Sequence, residues 1–157
     1  VGAGKEAKAL LQKGYDYIGI DASETMLEEA KKYLPEGTAL ICTSVYDLPF
    51  KDNTFDGFWT AATLLHIPKN RIDDALQSIW RVVKNGGVGF ISLRKGVGEA
   101  LDETGTDRWF ALYQADEFTD ILKRNGFEVI ANSLKDLPSL TVNFRDWISF
   151  FVLVVKN

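Results

Sequence analysis

Val1-Gly2-Ala3-Gly4 and Tyr17-Ile18-Gly19-Ile20-Asp21 are the two stretches whose joint reading decides the fold. Glycines at a strand-to-helix turn let the backbone approach a bulky ligand, because no Cβ stands in the way. An apolar run that ends in an acid reads as a buried strand with a hydrogen-bond acceptor at its tip. Between the two, residues 5–13 predict a helix with Ala7, Leu10 and Leu11 on one side and Gly14 closing it. Read with Ala7, the glycines also fit the G-x-G-x-x-A pattern of a dinucleotide turn. Together these features point to a nucleotide-like cofactor. The strand that should precede the glycines would lie upstream of Val1, so the first strand is expected to be missing from this chain. That strand would belong in the middle of the sheet, between the strands of Tyr17 and Phe55.

Working outward, strand-like and helix-like segments alternate, as in a sheet built from βαβ units. Residues 24–33 predict a helix capped by Ser23, with Met26, Leu27 and Ala30 as its apolar face. Strands are expected at 39–43, 55–61, 88–93, 127–131 and 147–155. Residues 71–83 read as an amphipathic helix carrying Ile72, Leu76, Ile79 and Val83, stopped by Asn85-Gly86-Gly87. Residues 116–125 read as a helix closed by Gly126. Residues 48–53 form a loop. Residues 95–108 are rich in glycine and mixed charge and follow a strand tip, the edge where ligands bind in open α/β sheets. They are a candidate lid or substrate loop, with a solvated connector as the alternative.

Composition narrows the function. The chain has 157 residues, 46% of them hydrophobic, which suits one domain spanning residues 1–157. The formal charge of −4 gives no basic face for nucleic acid, and a small polar substrate fits better. The single cysteine, Cys42, reads as a small buried hydrophobe in the run Ala39-Leu40-Ile41-Cys42. Scarce cysteine fits a reducing cytosol, so a cytoplasmic location is expected. No run approaches the ~20 apolar residues of a membrane span. The longest, residues 150–155, reads as a buried strand. No metal site is expected, because no His, Cys or carboxylate set has ligand spacing.

Four further stretches follow in order: Asp47-Leu48-Pro49-Phe50, Asn53-Thr54-Phe55-Asp56, the segment 60–68 ending in Leu65-His66-Ile67-Pro68, and Arg81-Val82-Val83-Lys84-Asn85-Gly86-Gly87. In this order the chain resembles the class I S-adenosylmethionine-dependent methyltransferases, in particular the small-molecule type with an "LPF…FD" loop and an "R-V-L-K-P-G-G" helix end. The resemblance covers nearly the whole chain. It implies a Rossmann-like, doubly wound three-layer α/β sandwich. The sheet should be mostly parallel, with residues 147–155 entering antiparallel beside the strand of residues 88–93.

The resemblance also implies roles. Gly2 and Gly4 match the glycines that pass the methionine part of S-adenosylmethionine. Asp21 matches the acid that binds both ribose hydroxyls, a task suited to an acceptor with two oxygens. Ala22 and Met26 would flank the adenine, with helix core as the alternative for Met26. Ser44 stands where the family often has an acid facing the adenine amino group. Its hydroxyl can accept that bond without charge assistance, and the Val45 N–H could serve the ring nitrogen. Asp47 either compensates from nearby or only shapes the loop. The carbonyls of Thr60 and Ala61 would receive the cofactor's ammonium group. His66, the only histidine, is the candidate general base, with capping or packing beside Pro68 as the alternative. Arg94, Arg108 and Tyr113 are candidates for holding the acceptor.

Two rivals stand beside methyl transfer. An NAD(P)-dependent oxidoreductase shares the glycines and Asp21, but explains neither the Leu-Pro-Phe loop nor the final hydrophobic strand, and no Tyr-x-x-x-Lys set is present. A non-catalytic methyltransferase-like binding module would fit the absent first strand and Ser44.

Overall fold

The computed structural model describes residues 4–102, 105–132 and 147–157. By its internal contacts the chain divides into two compact units, Val1–Pro49 and Phe50–Asn157.

In the first unit, α1 (Lys5–Gln12), β1 (Ile18–Asp21), α2 (Glu24–Lys31) and β2 (Ala39–Cys42) follow one another. β1 and β2 pair in parallel, Ile18 opposite Ala39 through Asp21 opposite Cys42. Ala7, Ala30 and Leu34 form the small core, with Leu11, Tyr17 and Leu40 packed against it. That apolar contact joins both helices to β2 and to Tyr17, the residue just before β1. Burial, helped by the charge of Glu6, pushes the Tyr17 hydroxyl up to about 12. Cys42 corrects an expectation. It is exposed, at the end of a strand that pairs only with β1 among the described strands.

In the second unit, β3 (Phe55–Ala61), α3 (Ile72–Val82), β4 (Val83–Arg94), β5 (Glu99–Leu101), β6 (Trp109–Ala111), α4 (Ala115–Arg124), β7 (Phe127–Asn132) and β8 (Trp147–Val154) follow in turn. Four of these strands make one sheet in the order β3-β4-β8-β7. β3 runs parallel to β4, and β8 is antiparallel to both β4 and β7. The last strand alone therefore runs against the others, as expected. Along β8, Ile148, Phe150, Val152 and Val154 are buried, while Phe151 and Leu153 are half-buried. This period of two is invisible in the continuous apolar run of residues 150–155.

The core of this unit combines those β8 residues with Ile91 and Leu93 of β4, Ile72, Ala75, Leu76 and Ile79 of α3, and Phe118, Ile121 and Leu122 of α4. The helical positions recur at three and four, the spacing of one buried face. Asp73 and Arg124 bridge the two helices at 2.8 Å, and Gln77 donates to the Asn125 side chain at 2.9 Å.

Two local expectations change. Asn85-Gly86-Gly87 does not form a separate turn after the helix. α3 ends at Val82 and β4 starts at once, and the extra residues are absorbed as a bulge: Phe55 pairs with Val83, Gly57 with Val88. Gly86, at φ 77, makes the left-handed step within it. The second change is in residues 95–108. Part of that stretch is ordered, since β5 and β6 pair as an antiparallel hairpin, Leu101 opposite Trp109 and Glu99 opposite Ala111.

Candidate functional site

The tip of β1 is built by backbone geometry. Asp21 faces Cys42 in the ladder, and its carbonyl accepts from the Thr43 N–H at 3.0 Å. Its Oδ1 accepts from the Ser23 N–H at 3.0 Å, which fixes the carboxylate beside the start of α2. Ser23 caps that helix, its Oγ accepting from the Met26 N–H at 3.4 Å. Ala22 is exposed and Met26 half-buried. The Ala22 carbonyl lies 3.8 Å from the Cys42 Sγ. Past β2, Ser44 turns the chain: its Oγ accepts from the Tyr46 N–H at 3.2 Å and its carbonyl from the Asp47 N–H at 3.3 Å. Asp47 is exposed, and Val45 half-buried.

Gly4 precedes α1 with φ 84, a conformation that a side chain adopts only at a cost of about 1–2 kcal/mol. A Cβ there would also press on Leu34 at 3.3 Å. Gly2 lies outside the described residues. The structure thus groups Asp21, Ala22, Met26, Ser44 and Val45 around the C-terminal ends of two parallel strands, the edge where such sheets bind ligands.

In the second unit, β3 ends at Thr60-Ala61. The Thr60 hydroxyl donates to the Phe90 carbonyl at 3.2 Å, and the Ala61 carbonyl accepts from the Thr63 hydroxyl at 3.3 Å. Ala62 then takes φ 53, a left-handed value rare outside glycine. Its N–H is held by the Ser92 carbonyl at 3.3 Å and hydroxyl at 3.1 Å. The strained step turns the chain into a short 3₁₀ turn, Leu64–His66, which buries Leu64 and Leu65 and leaves His66 half-buried.

His66 is set against the hairpin. Its Nδ1 lies 2.9 Å from the Trp109 carbonyl oxygen, and its ring meets Phe110 edge-on at 4.8 Å. The Arg94 guanidinium lies 5.8 Å from the same Phe110 ring. Arg94 and Arg108 are exposed. Tyr113 is placed otherwise than expected of an acceptor-facing group. It is fully buried, packed edge-on against Phe118, with the Lys69 ammonium 4.6 Å over its ring. Burial raises its hydroxyl far above the ordinary tyrosine range. Tyr113 instead packs inward against α4. Sequence alone does not place Trp109 and Phe110 against His66, because both contacts depend on a hairpin hidden in a long polar stretch.

The motif residues between these groups have structural work. Arg81 Nη1 donates to the Phe50 carbonyl at 2.7 Å and pairs with Asp52 at 3.0 Å, and the Arg81 and Val82 carbonyls accept from the Asn53 and Thr54 N–H groups. The end of α3 is thereby stitched to the loop after Pro49. Asp56 pairs with Lys84 at 2.8 Å on the surface. Among the described residues no group of three or more His, Cys, Asp or Glu side chains could hold a metal ion, and no helix is long and apolar enough to cross a membrane.

The architecture recurs in solved structures. A SAM-dependent methyltransferase of Methanosarcina mazei superposes with a TM-score of 0.83 at 19% identity, covering 99% of this chain and 90% of that one. The 1,6-didemethyltoxoflavin-N1-methyltransferase of Burkholderia thailandensis, solved with 1,6-didemethyltoxoflavin and S-adenosylhomocysteine, gives 0.79 at 16% identity, over 99% of this chain and 68% of that one. These likenesses establish the Rossmann-like α/β fold. In sequence, the chain is 34% identical over 140 residues to an uncharacterised protein of Methanocaldococcus jannaschii, taking in 83% of this chain and 62% of that one. It spans 62%, 41% and 42% of the lengths of the first three curated relatives it matches. The methyltransferase domain family matches residues 1–91. With that match over more than half its length, the chain belongs to the methyltransferase domain family.

Proposed function

We propose that this chain transfers the methyl group of S-adenosylmethionine to a small-molecule acceptor. The observation that carries the reading is the tip of β1, where Asp21 is pinned by the Ser23 N–H at the start of α2. A carboxylate offers about four acceptor sites, so this bond is compatible with a ribose diol on the same group. The neighbouring groups suit the rest of a nucleoside: exposed Ala22 and half-buried Met26 offer apolar surface, and Ser44 offers a hydroxyl. Gly4 in the left-handed region keeps side-chain bulk off the turn before α1.

In this reading Asp21 binds the ribose hydroxyls. Ala22, Met26, Ser44, Val45 and Asp47 line the adenine, and Gly2 and Gly4 pass the methionine part. When bound, the cofactor supplies a sulfonium-activated methyl carbon, so the protein contributes mainly binding and alignment. His66 takes a proton from an acceptor that must lose one. Arg94 and Arg108, both exposed, are available to an anionic acceptor. A small-molecule acceptor is supported by the fold likeness to the toxoflavin enzyme, whose structure holds such a molecule.

Titration calorimetry tests the reading. S-adenosylhomocysteine should bind, NAD should not, and Asp21→Ala should weaken S-adenosylhomocysteine at least about tenfold, the cost of losing charged hydrogen bonds of about 1.5–3 kcal/mol each. Binding of NAD without binding of S-adenosylhomocysteine would overturn it.

A further inference from the structure

We propose that the β5–β6 hairpin holds His66 as the Nδ1–H tautomer, with its lone pair on Nε2, and that Glu99 is the positioning residue that keeps the hairpin in place. The first step is a matter of hydrogen-bond chemistry. The Trp109 carbonyl oxygen lies 2.9 Å from Nδ1, and a carbonyl can only accept. Nδ1 therefore carries the hydrogen, and the neutral ring presents its basic lone pair on Nε2. Free imidazole side chains in water favour the opposite tautomer, so this contact reverses the intrinsic preference. The Phe110 ring, edge-on at 4.8 Å, limits rotation of the imidazole.

The second step follows the contacts outward from that carbonyl. Trp109 belongs to β6, and its indole Nε1 donates to Glu99 Oε2 at 2.9 Å. The same oxygen accepts from the Lys69 N–H at 2.8 Å. Lys69 opens the turn just after Pro68, three residues beyond His66. One carboxylate oxygen therefore closes a ring: His66 to Lys69 along the chain, Lys69 to Glu99, Glu99 to Trp109, and Trp109 back to His66. Besides Glu99, Arg94 lies near Phe110, and the Lys69 ammonium is paired with Glu117 at 2.7 Å.

What this tautomer does in the reaction rests on the methyl-transfer reading. An acceptor X–H gives its proton to Nε2: the X–H bond breaks with its electron pair left on X, and the Nε2 lone pair forms the new N–H bond. The resulting imidazolium keeps Nδ1–H on the Trp109 carbonyl and returns its extra proton to water. Glu99 touches neither partner and acts only through the hairpin.

The tautomer is measurable without cofactor or acceptor. The chain has a single histidine, so two-bond ¹H–¹⁵N correlation of the labelled full chain gives one imidazole pattern. At a pH where the ring is neutral, the unaltered protein should show a protonated Nδ1 and an unprotonated Nε2. Glu99→Ala should lose that form as the dominant species, and Trp109→Phe, which keeps the carbonyl but removes the indole N–H, should shift it the same way. Glu99→Gln should restore it, because an amide oxygen can accept both bonds. The Trp80 indole N–H, bonded to the Val155 carbonyl at 3.0 Å, reports an intact fold in each variant. An Nε2–H pattern in the unaltered protein overturns the proposal. A fully retained Nδ1–H pattern in both Glu99→Ala and Trp109→Phe overturns the role of Glu99. In a methyl-transfer assay Glu99→Ala should lower kcat about tenfold with KM unchanged. If no transfer is detected but the tautomer behaves as stated, the methyl-transfer reading fails and the positioning stands.

Discussion

Phe150→Ala should destabilise the protein far more than Phe151→Ala, although the two residues are identical and adjacent. Both rings make one aromatic contact of similar geometry, Phe150 with Phe118 at 5.4 Å and Phe151 with Phe90 at 5.1 Å. That contribution, about 0.5–1.5 kcal/mol in each case, largely cancels in the comparison. Burial does not cancel. Phe150 is fully buried beneath α4 and faces Ile91 across the ladder, whereas Phe151 is half-buried on the other face. Truncating a fully buried phenylalanine costs about 3–5 kcal/mol, and a half-buried one forfeits about half the transfer term and leaves no closed cavity, so about 1–2 kcal/mol is expected. Urea unfolding followed by fluorescence of the four tryptophans measures both, with the midpoint falling and the slope unchanged. The same alternation should make Val152→Ala at least as costly as Leu153→Ala, against the order of side-chain size. Equal losses at 150 and 151, or the reverse order, would mean that β8 is paired one residue out of register and that its buried face is misassigned.

Gly126→Ala should cost about 2–3 kcal/mol: about 1–2 for a side chain at φ 83, plus about 1 for the Trp80–Val155 hydrogen bond, since the new Cβ would fall 2.4 Å from Trp80 Nε1. In a Trp80→Phe background the second part should disappear, which a double-mutant cycle in urea detects. Asp73→Asn should lower stability by under about 1 kcal/mol at neutral pH, because the Arg124 bridge is half-exposed on both sides. Hydrogen bonds from Arg124, then Asn125, hold the Asp73 carboxyl below its ordinary value. Its contribution is therefore fully present above about pH 4 and lost as pH falls through the folded value, so the gap between the two proteins should close in acid.

Much of the fold was legible because each local signal had its physical partner close in sequence. Ser23 caps the helix that it precedes, Gly14 and Gly126 follow helices in the left-handed region, and α3 announces its buried face by spacing. The misreadings share a cause. Asn85-Gly86-Gly87 carries a turn signal, but β3 pairs with Val83 and Val88 on either side of it, so the strand continues past it with the extra residues in a bulge. The hairpin of β5 and β6 was hidden because Glu99 and Ala111 are too far apart for a short-turn signal and its strands are only three residues each. Cys42 looked like core because it closes an apolar run, yet its burial depends on neighbours across the strand, which no periodicity records.

The motif residues around Arg81 and the candidate base His66 are held by different kinds of contact. Arg81, Phe50 and Asp52 tie the end of α3 to the start of this unit by a guanidinium with fixed donor geometry. Such a contact constrains residue type strongly, so it leaves a recognisable motif without touching a reactant. The environment of His66 imposes the weaker constraint. Its partner is a backbone carbonyl 43 positions away, and every residue type has one. Sequence can therefore nominate His66 as a base but cannot say which nitrogen holds the proton. That information resides in the register of β5 against β6, and in whichever side chain fixes that register to the segment 66–69. Glu99 meets that description, an exposed acid in a polar stretch whose sequence alone suggests only a solvated loop.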